Sequence, residues 1–156
     1  MPAFRVQTLI AAPRERVFDL ARSIDAHQHS TAGTQERAVD GVTKGLISLN
    51  EEVTWEAKHF GIKQRLRVKI TEMERPARFQ DVMITGAFKR MSHDHEFIEQ
   101  PSGTLMVDRF DFASPFGPLG KLADRMFLLE YMRGFIIKRN AVLKQLAESD
   151  EWKRFV

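Results

Sequence analysis

The sequence predicts an α+β fold in which a curved antiparallel sheet of about seven strands surrounds a long C-terminal helix. Residues 35–113 alternate between apolar and polar side chains, which is the pattern of half-buried strands. Short turn motifs separate these segments, so consecutive strands form an antiparallel meander. From Leu119 onward the apolar residues recur with the helical period of about 3.6, which indicates an amphipathic helix.

One strand and two short helices precede the meander. Residues 4–10 alternate as a half-buried strand, and Pro13 is suited to the first turn of the helix that follows. The apolar face of this helix falls between positions 17 and 21. Asp25 can cap a second short helix that extends through His29.

The strand over residues 62–70 is the clearest part of the meander. Its odd positions carry only basic side chains: Lys63, Arg65, Arg67 and Lys69. This basic face should lie toward solvent, so the even positions face the helix. Gly61 makes the tight turn from the preceding strand, on which Trp55 and His59 should point inward.

The long helix is predicted to cover about 30 residues, or roughly 45 Å at 1.5 Å per residue. Gly134 is the only residue inside it that weakens a helix. One face collects the residues that would pack on the sheet: Leu119, Leu122, Met126, Leu129, Met132, Ile136, Asn140, Leu143 and Ala147. We therefore expect a single domain over residues 1–150 and a polar tail over residues 151–156.

Composition excludes several classes of site. The chain has 156 residues and a formal net charge of +3, and it contains no cysteine, which excludes disulfides, thiol nucleophiles and cysteine metal sites. Neither a signal peptide nor a membrane-spanning segment is recognisable, so we expect a cytoplasmic protein. The chain has 12 Phe and 7 Met against a single Tyr, and such bulky apolar side chains suit a core or a cavity wall.

Several segments resemble the SRPBCC superfamily, the START-like or Bet v 1-like proteins that include polyketide cyclases/dehydrases and lipid transport proteins. The resemblance lies in these segments: residues 10–19, residues 86–90 with His93, His95 and Phe97, residues 104–108, residues 115–117, and Arg139-Asn140 with Leu143-Lys144. Ala87 stands where proline is common in the superfamily. The resemblance implies a helix-grip fold around an apolar cavity. It implies no single chemistry, because members bind lipids, polyketides, quinones or hormones, and some are enzymes.

Strand register decides which side chains would face such a cavity. A symmetric hairpin around residues 100–103 pairs three residues of one strand with three of the next: Phe97 with Met106, His95 with Asp108, and His93 with Phe110. A turn near Met91 similarly places Thr85 beside His95 and Met83 beside Phe97.

The predicted ligand-binding residues all lie on the inner sheet face or the inward helix face. They are Trp55, His59, Asp81, Met83, Thr85, His93, His95, Phe97, Met106, Asp108, Phe110, Met126, Met132, Ile136 and Asn140. Phe and Met dominate this lining, and the His and Asp residues form a polar patch within it.

His95 and Asp108 are the candidate acid/base residues. A buried Asp is costly unless it is paired, and a His95–Asp108 pair would orient the imidazole and favour its protonated form. The His93-x-His95 spacing also puts two imidazoles on one strand face, which would suit a metal ion only with further ligands. We predict no metal and no cofactor.

The sequence favours a binding protein for a small hydrophobic or amphipathic molecule, such as a lipid, a polyketide or a quinone. One alternative is a cyclase or dehydratase that uses the His/Asp pair as acid and base. Another is a quinone or lipid chaperone similar to the coenzyme Q-binding branch, which the turn at residues 86–89 slightly favours.

The distribution of charged and apolar residues bears on binding to nucleic acid, to membranes and to a second copy of the chain. The basic strand face is typical of a solvated sheet surface paired with Glu52 and Glu56, so we expect no nucleic-acid binding. The long helix combines basic residues with extra apolar area, and it could touch a membrane surface transiently. The same apolar excess permits either a monomer or a homodimer.

Overall fold

The computed structural model describes residues 3–114, 117–118 and 127–156. These residues form seven strands: β1 (Ala3–Ile10), β2 (Arg37–Gly41), β3 (Glu52–His59), β4 (Ile62–Glu74), β5 (Arg78–Thr85), β6 (Arg90–Gln100) and β7 (Gly103–Ala113). The α-helices of the described part are α1 (Arg14–Ala21), α2 (Ile24–Ser30) and α3 (Leu129–Ala147). Short 3₁₀ helices cover Ala32–Thr34 and Asp150–Arg154.

All seven strands belong to one antiparallel sheet with the order β1-β7-β6-β5-β4-β3-β2. Strands β2 to β7 follow one another as a meander, and β1 pairs with β7 at the far edge. The two short helices carry the chain from one edge of the sheet to the other. This curved sheet with its C-terminal helix confirms the predicted α+β helix-grip fold.

Helix α3 is tied to strand β1 as well as packed on the sheet. Its inward face buries Ile136, Leu143 and Leu146. Lys144 Nζ donates a hydrogen bond to the carbonyl oxygen of Leu9 at 2.7 Å. The predicted helix begins at residue 119, and its first inward residues, including Met126, lie outside the described residues.

The β3–β4 turn sets the register of the inner face. Phe60 and Gly61 both have positive φ, 54° and 75°, as a two-residue hairpin turn of type I′ requires. The turn places His59 opposite Ile62 and Trp55 opposite Leu66. The side chains of Trp55 and Leu66 therefore share the face toward helix α3.

The β5–β6 connection differs from the predicted one. Asp81 pairs with His93, and Phe79 rather than Thr85 pairs with His95. The predicted pairs of Thr85 with His95 and Met83 with Phe97 were therefore wrong. The chain reverses around residues 86–89, so Met91 lies inside β6 instead of at the turn. This changes the register by six residues, an even number, and so Asp81 keeps its inward position.

The C-terminal residues fold back on the first helices. The guanidinium of Arg16 lies over the Trp152 ring, 4.3 Å from its centroid. The carbonyl oxygen of Phe155 accepts a hydrogen bond from the Ser23 hydroxyl at 2.9 Å. The segment predicted as a polar tail thus contributes two aromatic side chains that pack against the hydrophobic core.

Glu56 organises the basic face of the sheet. Its carboxylate accepts hydrogen bonds from Arg37 at 2.8 Å and Arg65 at 3.0 Å, and Lys63 lies 3.7 Å away. Two residues of the basic row, Lys63 and Arg65, are thus paired with Glu56 as predicted, and Arg67 is paired with Glu52. The hydrogen bonds from Arg37 and Arg65 lower the pKa of Glu56 to about 2.

We predict that Glu56→Gln lowers the thermal unfolding midpoint at pH 7 and that the difference from wild type shrinks as the pH falls from 5 to 3. A carboxylate with a lowered pKa stabilises the fold above its unfolded pKa of 4.5, and this contribution is lost as the pH falls toward about 2. Circular dichroism melts across this range measure the effect. Glu52→Gln, which removes a single ion pair with Arg67, is the matched control. A difference that stays constant across this pH range would contradict the assignment.

Candidate functional site

A cavity of about 390 Å³ lies between the inner face of the sheet and helix α3. Its walls are mainly apolar and come from helices, strands and loops: Ile24, Ile47, Val53, Trp55, Ala57, Leu66, Val68, Ile70, Phe79, Phe88, Met91, Phe110, Leu128, Met132, Phe135 and Ile136. This volume is within the range of sites that hold small organic molecules. The abundant Phe and Met residues thus contribute to the wall of this cavity as well as to the core.

A group of buried or largely buried polar residues lies in and behind one wall, and we call it the polar cluster. Its members are Asp81, His93, His95, Asp108, Arg139 and Asn140. Strand β6 supplies both imidazoles, because positions two apart on a strand point to the same face. The carboxylates come from the strands on either side, and helix α3 supplies the remaining two members from above the sheet.

Each imidazole bonds a carboxylate of a neighbouring strand. His93 Nε2 lies 2.7 Å from Asp108 Oδ1, and His95 Nε2 lies 2.7 Å from Asp81 Oδ2. The two rings stack with centroids 3.7 Å apart. Neither histidine is the direct backbone partner of the carboxylate it bonds, so both hydrogen bonds run diagonally across the sheet.

The predicted His95–Asp108 pair is present in the backbone register but not as a hydrogen bond. His95 Nδ1 and Asp108 Oδ1 are 3.5 Å apart, and this nitrogen has no hydrogen-bond partner among the described residues. Phe79 stacks on the His95 ring at 4.1 Å and holds it so that Nε2 points to Asp81. The strand pairing thus predicted correctly that His95 and Asp108 are neighbours. Side-chain packing determines which carboxylate forms the hydrogen bond with His95.

Asp108 is fully buried and ionised. Burial opposes the charge, but Arg139 and the hydrogen bond with His93 outweigh it and hold the pKa of Asp108 below its ordinary value. Arg139 Nη2 lies 3.8 Å from Asp108 Oδ1, and Asn140 Nδ2 donates to Oδ2 at 2.6 Å. The carboxylate therefore joins strand β7 to helix α3.

The imidazole of His95 is neutral at pH 7. Burial and the neighbouring His93 lower the pKa of His95 to about 4, against the effect of Asp81. The prediction that its partner would favour the protonated form was therefore wrong, because loss of hydration outweighs the attraction of the carboxylate. A neutral His95 that donates its Nε2 proton to Asp81 has an unprotonated Nδ1, which suits a proton acceptor.

A second polar pair lies elsewhere on the cavity wall. His59 Nδ1 and the Tyr131 hydroxyl are 2.6 Å apart, and Tyr131 packs against Phe60 with ring centroids 4.5 Å apart. Phe60 is 52% exposed, so this pair marks a side of the cavity close to solvent. Burial lowers the pKa of His59, which keeps this imidazole neutral as well.

The predicted site residues divide by their position. Eight line the cavity: Trp55, His59, Asp81, His93, His95, Phe110, Met132 and Ile136. Four are buried behind the wall: Phe97, Met106, Asp108 and Asn140. Met83 is partly buried against the core, and Met126 lies outside the described residues. Thr85 is exposed, so its predicted inward position was wrong, because a register shift between β4 and β5 places it opposite Arg67 of the outward basic row. Contact with a ligand stays a prediction for all of them.

Sequence reasoning missed Arg139 as part of the site. Arg139 is a basic residue of the long helix, where solvent exposure would be expected, yet its side chain is only 4% exposed. Position 139 comes three residues after Ile136 on the inward stripe, which places it at the edge of that stripe. The predicted inward position of Asp108 on β7 was a further indication that a basic residue of the helix would be buried, since a buried carboxylate needs a cation nearby.

The family model for polyketide cyclase/dehydrase and lipid transport proteins matches residues 1–148. The chain belongs to this family. Its membership places it in the SRPBCC superfamily, as the local motifs predicted. A search of the curated proteins gave no match.

Solved structures share the fold at low sequence identity. Protein TTHA0849 from Thermus thermophilus superimposes with a TM-score of 0.76 at 20% identity, over 92% of this chain and 95% of that one. Protein CV1439 from Chromobacterium violaceum gives 0.73 at 14% identity, over 95% and 98%. Major latex-like protein 151 from Panax ginseng gives 0.66 at 12% identity, over 94% and 97%. No helix among the described residues is long and apolar enough to cross a membrane.

We predict that Arg139→Leu lowers the free energy of unfolding by about 3 kcal/mol, because it leaves the buried Asp108 charge without its cation. Combining it with Asp108→Asn should cost less than the sum of the single changes, since the charge that needs compensation is gone. Urea denaturation of the four proteins measures this coupling. Arg133→Leu, on the exposed side of the same helix, is the control and should change stability by less than about 0.5 kcal/mol. Strictly additive effects would show that Arg139 and Asp108 do not act together.

Proposed function

We propose that this protein binds a small amphipathic molecule in the cavity between the sheet and helix α3. The observation that carries the proposal is the combination of an apolar cavity of about 390 Å³ with a buried polar cluster on one wall. Apolar walls provide the affinity, and the few polar groups orient the bound molecule.

The polar cluster favours a ligand that has hydrogen-bonding groups at one end. His95 Nδ1 and Arg139 Nη2 belong to residues that line the cavity, and neither atom has a hydrogen-bond partner among the described residues. A purely apolar molecule would leave both atoms unsatisfied, which costs free energy. A carbonyl or hydroxyl group next to the cluster would satisfy them. Lipids, polyketides and quinones all combine such an oxygen with an apolar body, and the family description supports the first two classes.

Native mass spectrometry of the protein purified from its own host would identify the ligand class directly. We expect a co-purified small molecule that dissociates on denaturation. Fatty acids, aromatic polyketides and quinones added to the unfolded and refolded protein would then rank these classes by affinity.

Trp55 should report ligand binding by fluorescence. It lies in the cavity wall, whereas Trp152, the second of the chain's two tryptophans, packs on Arg16 outside the cavity. The variant Trp152→Phe should keep the ligand-dependent change in emission, and Trp55→Phe should lose it. An equal response in both variants would mean that the ligand binds elsewhere.

Filling the cavity should block binding. We expect Ile136→Trp to weaken ligand affinity by at least about tenfold, because the larger ring occupies the cavity. The neighbouring Ile137 is 40% exposed, so Ile137→Trp is a matched control that should leave the affinity unchanged. Titration of both variants, after thermal melts establish that each is folded, measures the difference. Equal affinities would contradict binding at this cavity.

An enzymatic role is the second candidate, and the two imidazole–carboxylate pairs favour it. A neutral His95 that is oriented by Asp81 beside the cavity has the arrangement of a general base. His93 and Asp108 form a similar imidazole–carboxylate pair two positions earlier on β6. The pairing thus assigns Asp81, in place of Asp108, as the partner of His95. An enolisation or dehydration would use such a base.

The variant His95→Gln separates the two candidate functions. If the protein is an enzyme, this variant should bind the ligand within about threefold of wild type and lose turnover, because the change removes the base but keeps polarity. Incubation of the co-purified ligand class with both proteins, followed by mass spectrometry of the products, measures turnover. Unchanged ligand after incubation with the wild type would leave binding as the function.

A further inference from the structure

Asp81, His93 and His95 bring one carboxylate and two imidazoles together on the cavity wall. One ligand atom from each lies within 4.8 Å of the other two. We propose that these three residues form a binding site for a divalent first-row transition-metal ion of the Zn²⁺ type. Imidazole and carboxylate are ligands that such ions accept readily.

The separation of His95 and Asp81 is compatible with a shared metal ion. Zinc binds imidazole nitrogen and carboxylate oxygen at about 2.0–2.2 Å, so two ligand atoms at the tetrahedral angle lie roughly 3.4 Å apart. His95 Nε2 and Asp81 Oδ2 are 2.7 Å apart and are joined by a proton. A metal ion would replace that proton, and these two atoms would separate by roughly 0.7 Å.

The backbone that presents these ligands is rigid. His93 and His95 alternate on β6, and Asp81 is the direct partner of His93 on β5. Both strands lie inside the sheet, with paired neighbours on each side. Ligands on the interior strands of a sheet keep their relative positions better than ligands on loops.

The surroundings resemble those of a metal-bound histidine. His93 Nε2 is held by Asp108, and Asn140 holds the other oxygen of that carboxylate at 2.6 Å. A carboxylate that bonds one ring nitrogen orients the ring so that the second nitrogen can bind a metal ion. Asp108 would therefore position His93 without touching the ion.

The charges of the polar cluster also favour a cation. Asp108 has no exposed surface and the Asp81 side chain is 16% exposed, and Arg139 is the one basic side chain with a permanent charge in the cluster. The cluster thus has one carboxylate more than it has guanidinium groups. A divalent ion bound to Asp81 would offset the negative charge of that carboxylate in a place that water reaches poorly.

Three protein ligands would leave coordination positions open toward the cavity. Metal sites with an open position bind an oxygen atom of water or of a second molecule. The site would accordingly select molecules with an accessible oxygen, and it can be tested without knowing which molecule the cavity holds. If no metal ion binds at this site, the proposed binding of an amphipathic molecule in the cavity is unaffected.

Isothermal titration of the metal-free protein with ZnCl₂ tests the proposal, after removal of metals with a chelator. We expect one Zn²⁺ ion per chain. Asp81→Asn and His95→Gln should each weaken affinity by at least about 100-fold, and Asp108→Asn, which only positions His93, by roughly tenfold. His29→Gln is the control, because this histidine packs against Phe155 outside the cavity, and it should bind like wild type.

Titration with Co²⁺ provides a second readout that does not depend on the stability of any one variant. Two imidazoles and a carboxylate around Co²⁺ should produce visible absorption bands in the wild-type protein, and His93→Gln or His95→Gln should remove them. The proposal is overturned if the wild type binds neither ion, or if the His95→Gln variant binds Zn²⁺ as tightly as wild type. The second result would place the ion at surface histidines.

Discussion

The buried carboxylate of Asp108 is the interaction on which the site depends. It has no exposed surface, and it is held by His93 from the next strand and by Asn140 and Arg139 from helix α3. A buried charge is tolerated only when several groups surround it. Because Asp108 and those groups belong to three elements, this residue links helix α3 to the sheet and orients the imidazole of His93.

The cavity follows from the same arrangement. Side chains of β3 and β4 on the inner face are mainly apolar, and the imidazoles of β6 form a polar wall beside them. Helix α3 makes close contact with β1 at Leu9 and Thr8, which leaves space over the opposite part of the curved sheet. An apolar space with one polar wall is suited to an amphipathic guest, and a metal ion at Asp81, His93 and His95 would give that wall its selectivity.

Strand register explains how much of the site the sequence could predict, because an error of an even number of residues leaves each side chain on the same face of the sheet. The tight turn at residues 100–103 has a symmetric register, so the neighbours of His93, His95 and Phe97 on β7 could be derived from spacing. The β5–β6 connection has no such constraint, and its register was misplaced by six residues. Because six is even, Asp81 stayed on the inner face, whereas a register shift between β4 and β5 turned Thr85 to the outer face opposite Arg67.

By itself, the sequence determined the order of elements, the faces of the strands and the residue types that line the interior, since all of these depend on local periodicity and turn chemistry. Only the tertiary structure decided which side chains of the polar cluster contact one another. Phe79 turns His95 toward Asp81, and the packing of helix α3 brings Arg139 to the carboxylate of Asp108 on a distant strand. These contacts join residues on separate elements, and their distances depend on packing that no local pattern records.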